Sequence, residues 1–201
     1  MKKNILLLLL IIITACSQNL KNRLVDLGVL PRTTDSDYLS TFINFTKTHK
    51  YYDQFETKSI IKVTYFSDDF IKAYLNEKQK FLKHDEFKHL SDKEEQLKKT
   101  AIRFFVSIYT PDQTYSILTG TKTIWNIYLV NNRGEQLYPA SIKSANEPFQ
   151  ILNYFFPTLT TWDKPYYITF EIPKDYINPK ENFKLIFKSV FSYSEFLFQY
   201  E

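Results

Sequence analysis

The sequence predicts a mainly β protein: an immunoglobulin-like antiparallel sandwich with a short N-terminal helix and a helical segment inserted at about 67–100. Three observations support this fold class. Seven or eight short segments alternate apolar and polar residues at the spacing typical of a sandwich. Aromatic residues make up 17% of the chain, mostly Phe and Tyr, which favour strands. Two helix-start patterns interrupt the series between the second and third strands.

The first element of the predicted domain is a helix over about 37–44. The polar cluster at 35–37 offers N-cap side chains, and Leu39, Phe42 and Ile43 share one face. We expect that face to be buried.

Two strands follow this helix. The first begins at Phe45, carries polar residues on both faces and is predicted to be an exposed edge strand that ends in a turn at 53–54. The second covers 58–66. Its alternation predicts a half-buried strand, with one apolar and one polar face: Ile61, Val63 and Tyr65 against Lys62 and Thr64.

Two helices are predicted in the inserted segment. The sequence at 67–69 begins the first, whose apolar stripe consists of Phe70, Ala73, Tyr74 and Phe81. The sequence at 91–94 is typical of a capping box and predicts a second, short helix that ends near Lys99.

The remainder of the chain predicts strands. In the first of them, Ile102, Phe104, Val106 and Ile108 share one face, and Trp125 is expected in the sandwich core. Gly134 suits a hairpin turn, and Pro139 marks the next strand as an edge or a bulge. We expect strands at 101–110, 123–131, 136–144, 166–172, 183–188 and 193–200, with a loop at 157–165.

The N-terminus has the layout of a secretory signal that ends at Cys16, the single cysteine of the chain. Two lysines precede an apolar block at 5–13, and Thr14 and Ala15 follow it. The block is about half the length needed to cross a bilayer. The residues before Cys16 are similar to a bacterial lipobox, which predicts cleavage before Cys16 and lipid on its sulfur. A plain secretory signal cut after Ala15 and a retained anchor are the alternatives.

This interpretation divides the chain into a signal peptide at 1–15, a lipidated tether at 16–35 and a sandwich domain at 36–201. The tether spans at most about 60 Å when extended. Ser17 follows the cysteine, where an Asp would favour the inner membrane, so we expect the outer membrane of a bacterial cell envelope.

Two further stretches resemble a family of uncharacterised bacterial lipoproteins with a single sandwich-like domain. They are 104–112 (FFVSIYTPD) and 125–130 (WNIYLV), the latter followed by Gly134 and Glu135. The lipobox and the strand–helix passage at 60–82 complete the resemblance. It implies lipidation of Cys16 and supplies no catalytic residues.

The charge and composition argue against several function classes. Loss of Lys2 and Lys3 with the signal lowers the formal charge from +4 to +2, which does not favour nucleic acid as a partner. Only three glycines are present, so phosphate-cradling loops are disfavoured. A Gly-x-Ser-x-Gly turn, a P-loop and a dinucleotide motif are absent from the sequence, and we expect no cofactor.

The densest group of metal-ligating side chains is His84, Asp85, Glu86 and His89. A zinc-protease helix needs two histidines four apart, whereas these are five apart and about 140° from one another on a helix. We therefore expect no metal site and interpret this stretch as a solvated junction between two helices. His49 is expected at the surface of its edge strand.

Other charged and aromatic groups have structural explanations. The pairs at 68–69 and 94–95 are expected at helix starts, where negative charge is favourable. The lysines between 72 and 99 predict a solvated face, with contact to anionic headgroups or an acidic partner as the alternative. The tyrosines are explained by strand propensity, with a sugar- or peptide-binding face as the alternative.

These features together predict a non-enzymatic lipoprotein of the cell envelope with a binding or scaffold role. Its partners are expected to be the membrane, through lipid such as palmitate on Cys16, and an envelope protein. A subunit of an envelope transport or assembly complex, and an enzyme whose site is assembled from distant residues, are the alternatives. The surfaces that we expect to matter are the helical insertion and the loop at 157–165.

Overall fold

The computed structural model describes residues 36–173, 176–178 and 180–200, which form two antiparallel sheets and four helices. The mainly β fold predicted from the sequence is confirmed, as are the short N-terminal helix and the helical insertion. The signal peptide, the tether and Cys16 lie outside the described residues, and the immunoglobulin-like topology stays a prediction. In chain order the elements are α1 (Ser36–Phe45), β1 (Thr46–Asp53), β2 (Glu56–Tyr65), α2 (Asp68–Gln79), α3 (His84–Leu97), β3 (Ala101–Tyr109), β4 (Asn126–Val130), β5 (Gln136–Leu137), β6 (Ser141–Ser144), α4 (Phe149–Phe155), β7 (Lys164–Glu171), β8 (Asn182–Lys188) and β9 (Tyr193–Gln199).

The two sheets contain five and four strands. The larger has the order β1-β2-β3-β7-β6 and the smaller the order β5-β4-β8-β9. As predicted, β1 is an edge strand and Gly134 adopts a positive φ of 80° in the β4–β5 turn. Where β1 and β9 lie side by side, Ser59 and Ser192 join the sheets through a 2.8 Å hydrogen bond between their hydroxyls.

The inner faces of the sheets form the sandwich core. Ile102, Phe104, Val106 and Ile108 of β3 project into it, as their alternation predicted, and are at most 1% exposed. Trp125, just before β4, is buried there as well. Alternate residues of β8 and β9 close the other side.

A second core covers the outer face of the larger sheet. Helices α1, α2 and α4 contribute most of its side chains, which pack on Phe105 of β3. The closest contact is between the rings of Phe105 and Phe156, which stack in parallel with centroids 3.6 Å apart. Strand β3 is consequently buried on both faces.

This second core corrects the prediction that β2 is half-buried. Lys62 and Thr64, expected on a polar outer face, are 9% and 2% exposed because the loop after α4 and the α1–β1 junction cover them. The covering helix α4 had no counterpart in the sequence prediction. Phe81, expected on the apolar stripe of α2, lies beyond the end of that helix and is 62% exposed.

The start of α3 also differs from the prediction. The helix begins at His84, not at Ser91, and the carboxylate of Glu86 accepts a 3.2 Å hydrogen bond from the Lys83 backbone N–H. Glu94 therefore lies inside the helix. It is buried there because its carboxylate pairs with the guanidinium of Arg103 on β3.

The strand predicted over 136–144 consists of two strands in different sheets. Pro139 lies between β5, at the edge of the smaller sheet, and β6, at the edge of the larger sheet. Proline lacks the N–H that a strand interior needs, so a break at this residue is expected. The chain thus passes from one sheet to the other, and the predicted edge position is confirmed for both strands.

The stacked pair Phe105–Phe156 generates a prediction about stability. Replacing Phe156 by Ala leaves a cavity between the helices and the sheet, and we expect the free energy of unfolding to fall by about 3–5 kcal/mol. Urea unfolding followed by circular dichroism measures this. The matched control is Phe55→Ala, because that ring is fully exposed and its loss should cost less than about 0.5 kcal/mol. Equal losses in the two variants would contradict the proposed role of the stack.

Candidate ligand-binding site

Three connections meet at the end of the sandwich farthest from the start of β1; we call this the loop end. They are the β1–β2 turn at 54–55, the segment 110–116 that follows β3, and the β8–β9 turn at 189–192. The Ser59–Ser192 hydrogen bond ties the β8–β9 turn to β2. Because each turn extends from a paired strand, the loop end is a fixed part of the sandwich.

An open groove of about 510 Å³ lies at the loop end, between the start of β2, the segment 110–116 and the β8–β9 turn. One wall is apolar and consists of Pro111, Tyr115 and Phe191. Residues 56–58, at the start of β2, form the facing wall, and Asp112 lies at the rim.

The apolar wall is supported from the core. The ring of Tyr115 lies 5.4 Å from that of Phe191, which lies 5.9 Å from the indole of Trp125. The indole N–H of Trp125 donates a 2.6 Å hydrogen bond to the Tyr115 carbonyl. Tyr115 remains 42% exposed, so its ring is held in place yet accessible to a ligand.

The facing wall carries fixed charges. Glu56 and Lys58 form an ion pair 2.7 Å long. Their mutual hydrogen bond lowers the pKa of the Glu56 carboxyl and raises the pKa of the Lys58 ammonium, so both groups are charged at neutral pH. The pKa of Asp112 is lowered because its carboxylate accepts hydrogen bonds from the Thr114 backbone N–H and hydroxyl.

Buried polar contacts hold the segment 110–116 in its conformation. The hydroxyls of Thr110 and Ser116 lie 2.8 Å apart, and the Thr110 backbone N–H donates to the Ser116 hydroxyl at 3.1 Å. The Lys164 ammonium donates to the Gln113 carbonyl at 2.6 Å. The Tyr166 hydroxyl donates to the Ser116 carbonyl at 3.0 Å. Any ligand in the groove therefore meets a wall that is already ordered.

The loop at 157–165, one of the predicted functional surfaces, is fastened to the outer face of β2. The Lys62 ammonium donates to the Asp163 carboxylate at 2.8 Å and to the Thr158 carbonyl at 2.7 Å. The two charged side chains are only 10% and 1% exposed. This loop presents Trp162, which is 71% exposed, beside a shallow cleft that Ile60 also lines.

The residues singled out for metal chemistry do not form a site. His84, Asp85, Glu86 and His89 are all exposed on the first turns of α3, so they are solvated as expected but do not form a junction between helices. Among the described residues, no group of three or more His, Cys, Asp or Glu side chains is placed to share a metal ion.

The acidic pairs have structural roles. Asp68 and Asp69 lie at the start of α2, as predicted. Glu94 and Glu95 lie inside α3, so their predicted place at a helix start is wrong. Ion pairs connect several lysines of the insertion to acids nearby: Lys72 to Asp69, Lys80 to Glu77, and Lys98 to Glu95 and Asp68.

His49 is half-buried, which corrects its expected surface position. Its Nδ1 lies 2.8 Å from the hydroxyl of Ser194 on β9, and its ring packs edge-on against Phe196. Because Ser194 is fully buried, its hydroxyl cannot reach a substrate. The pair joins the two sheets and does not form a nucleophile with a base.

The N-terminal site residue, Cys16, lies outside the described residues. Within the described part of the chain, the helices are too short or too polar for any of them to cross a bilayer.

The groove itself was missed by sequence reasoning. Its apolar wall comes from Tyr115 and Phe191, which are 76 positions apart in the chain and meet only because of the sheet pairing. No local spacing encodes that contact. The one signal in the sequence is the surplus of tyrosine, for which strand propensity and a sugar- or peptide-binding face are the two explanations.

The buried ion pair under the Trp162 loop generates a second prediction. Asp163→Asn leaves the Lys62 ammonium buried without a counter-charge, and we expect a loss of about 3 kcal/mol in the free energy of unfolding. The double variant Lys62→Met, Asp163→Asn should recover most of that loss, because no unpaired charge remains. Urea unfolding of both single variants and the double variant measures the coupling. Simple addition of the two single losses would contradict this account.

No protein-family model, curated protein or solved structure matches this chain.

Proposed function

We propose that this protein is a non-enzymatic binding protein of the bacterial cell envelope, held at a membrane, and specifically the outer membrane, by lipid on Cys16. The groove at the loop end is its ligand site. The anchoring rests on the signal-like sequence at 1–16. The binding role rests on the geometry of the groove.

One observation carries the binding role: an accessible, ordered aromatic wall faces a wall of fixed charges. Tyr115 and Phe191 offer flat apolar surface, and Glu56 and Lys58 offer an acceptor and a donor across the groove. Ligand sites combine apolar walls with a few polar groups in this way. An extended peptide or a glycan strand has the matching chemistry, since both alternate apolar faces with hydrogen-bonding groups.

The groove favours binding over catalysis. Its charged groups hold ordinary protonation states at neutral pH, since the pKa of Glu56 is lowered and that of Lys58 raised. A general acid or base needs the opposite shifts. The peptide can belong to another protein of the envelope. The second candidate function is therefore that of a subunit in an envelope transport or assembly complex.

Metabolic labelling with a clickable fatty acid tests the anchor. We expect label on the wild-type protein and none on Cys16→Ser, and we expect the variant to leave the membrane fraction. Recovery of the wild type in membranes without label would point to a retained anchor. Absence of both label and membrane association would point to a secreted protein cut after Ala15.

Nuclear magnetic resonance titration tests the groove with two named probes: soluble disaccharide-peptide fragments of the cell wall and a set of extended tetrapeptides. We expect shifts of the Tyr115, Phe191 and Lys58 signals with one of the probes. Tyr115→Ala should weaken that binding about tenfold, because one aromatic stacking surface is lost.

Two controls accompany this titration. Tyr138→Ala removes a tyrosine that is 55% exposed but lies outside the groove, directly after the edge strand β5. This variant should leave the affinity unchanged. Substituting Ala for His84, Asp85, Glu86 and His89 together should also leave it unchanged. Loss of binding in the still-folded histidine variant, with retention in Tyr115→Ala, would place the site in the helical insertion instead.

A further inference from the structure

Two large apolar side chains at the loop end are almost fully exposed to solvent. Phe55, in the β1–β2 turn, is 104% exposed, and Val190, in the β8–β9 turn, is 92% exposed. They are the two most exposed of the large hydrophobic residues in the described part of the chain. The two turns lie near each other, because Ser192 of the β8–β9 turn hydrogen-bonds to Ser59 on β2, and Asp53 and Val190 line one cleft.

The exposure of Val190 is built into its turn. The Ser189 hydroxyl accepts hydrogen bonds from the backbone N–H groups of Phe191 and Ser192, at 3.4 and 3.0 Å. The Ser189 backbone N–H donates to the Ser192 carbonyl at 2.9 Å. This ordered turn directs Phe191 inward to Trp125 and leaves Val190 outward.

The exposure of Phe55 is likewise set by its turn. Asp53 pairs with Glu56 across the hairpin, so only two residues make the connection. Gln54 takes a positive φ of 55°, which non-glycine residues seldom adopt. The tight turn leaves Phe55 at its apex, projecting beyond the end of the sheet.

Tyrosines lie next to both apices. Tyr52, 55% exposed, precedes the β1–β2 turn, and Tyr193, 48% exposed, follows the β8–β9 turn. Tyrosine is enriched where membrane proteins meet the headgroup layer, because its ring is apolar and its hydroxyl polar. Apolar side chains therefore lie at the apices of the two turns, and amphipathic tyrosines lie behind them, nearer the strands.

We infer that the loop end makes a second contact with the bilayer, in which Phe55 and Val190 insert among the lipid chains and the tyrosines lie at the headgroups. This inference goes beyond the ligand groove and rests on the proposed anchoring. Two separate apices fit a deformable lipid surface better than a protein partner, because a specific protein interface buries about 1,200–2,000 Å². Two side chains cannot supply that area.

The length of the chain before the domain permits this contact. Residues 17–35 span at most about 60 Å, whereas β2, the longest strand, is about 33 Å long from its ten residues. The chain enters the domain through α1, which joins β1 at the opposite end of the sandwich. The tether is therefore long enough for the loop end to reach the bilayer that holds the lipid.

The charges near the apices indicate which lipids are needed. Three acids, Asp53, Glu56 and Asp112, lie there with two lysines, Lys58 and Lys188. A surface without excess positive charge gains little from anionic headgroups. The contact should therefore form on zwitterionic vesicles and depend only weakly on salt.

Depth-dependent quenching tests this inference on the full-length lipoprotein in phosphatidylcholine vesicles. A cysteine at Phe55→Cys or Val190→Cys is labelled with an environment-sensitive fluorophore, and nitroxide lipids act as quenchers. The control is Asn132→Cys, exposed in the β4–β5 turn. We expect quenching at 55 and 190 to be several-fold stronger than at 132. Equal quenching at all three positions, or none at 55 and 190, would overturn the inference.

A second pair of variants tests whether the apolar side chains of both apices are needed for insertion. In the labelled Phe55→Cys chain, Val190→Asp should reduce the quenching about tenfold, because a carboxylate in the apolar layer is costly. Asn132→Asp in the same chain should leave it unchanged. Unaltered quenching in the Val190→Asp chain would mean that the apices do not insert together.

The same experiment separates the inference from the proposed anchoring. Lipid on Cys16 converts the single native thiol to a thioether, so the parent chain should take up no thiol reagent. Labelling of the parent would show that the anchor proposal fails. A parent chain that takes up no reagent, with equal quenching at 55, 190 and 132, would overturn the bilayer contact alone and leave the anchor proposal intact.

Discussion

The burial of β3 on both faces is the constraint on which the rest of the structure depends. Its even-numbered residues fill the sandwich core, and Phe105 on the other face is covered by the helices. A strand in this position must lie in the middle of its sheet, between β2 and β7. It must also be covered by a third layer. With one cysteine in the chain, packing and not disulfides holds these layers together.

The third layer is positioned by polar contacts as much as by its apolar side chains. The guanidinium of Arg103 makes a two-point contact with the Glu94 carboxylate and lies 4.9 Å from the ring centroid of Phe66. Because a buried charge without its partner is costly, a shift of α3 along β3 that separated the two groups would be disfavoured. Lys62 and Asp163 do the same for the loop after α4. These two pairs fix where the helical layer lies along the sheet.

The sequence was sufficient to predict what depends on local periodicity. The strand faces of β3, the start of α2 at Ser67 and the turn at Gly134 all follow from spacing and cap chemistry. The second core was missed because a lysine in an alternating strand predicts a solvent-facing position. The burial of Lys62 depends on its ion pair with Asp163, which is distant in the sequence. The predicted start of α3 was wrong for the same reason. Residues 91–94 match a capping box, but the Glu94 carboxylate pairs instead with the distant Arg103.

The ligand groove was beyond sequence reasoning on other grounds. Its walls come from the start of β2, the segment 110–116 and the β8–β9 turn, which are far apart in the chain, and Tyr115 and Phe191 become neighbours only through the sheet pairing. The same non-local support makes the site suitable for binding. Walls that are ordered before the ligand arrives lose little conformational entropy when it binds, so more of the contact energy appears as affinity.

A lipid anchor changes what the exposed apices must achieve. Two side chains such as Phe55 and Val190 would bind a bilayer only weakly from solution. When the chain is already attached, the second contact becomes intramolecular and its effective concentration is set by the length of the tether. A weak contact is then enough to orient the domain. Because the groove shares the loop end with the apices, the proposed contact would place the groove near the bilayer, where a ligand that is itself bound to the membrane is at its highest local concentration.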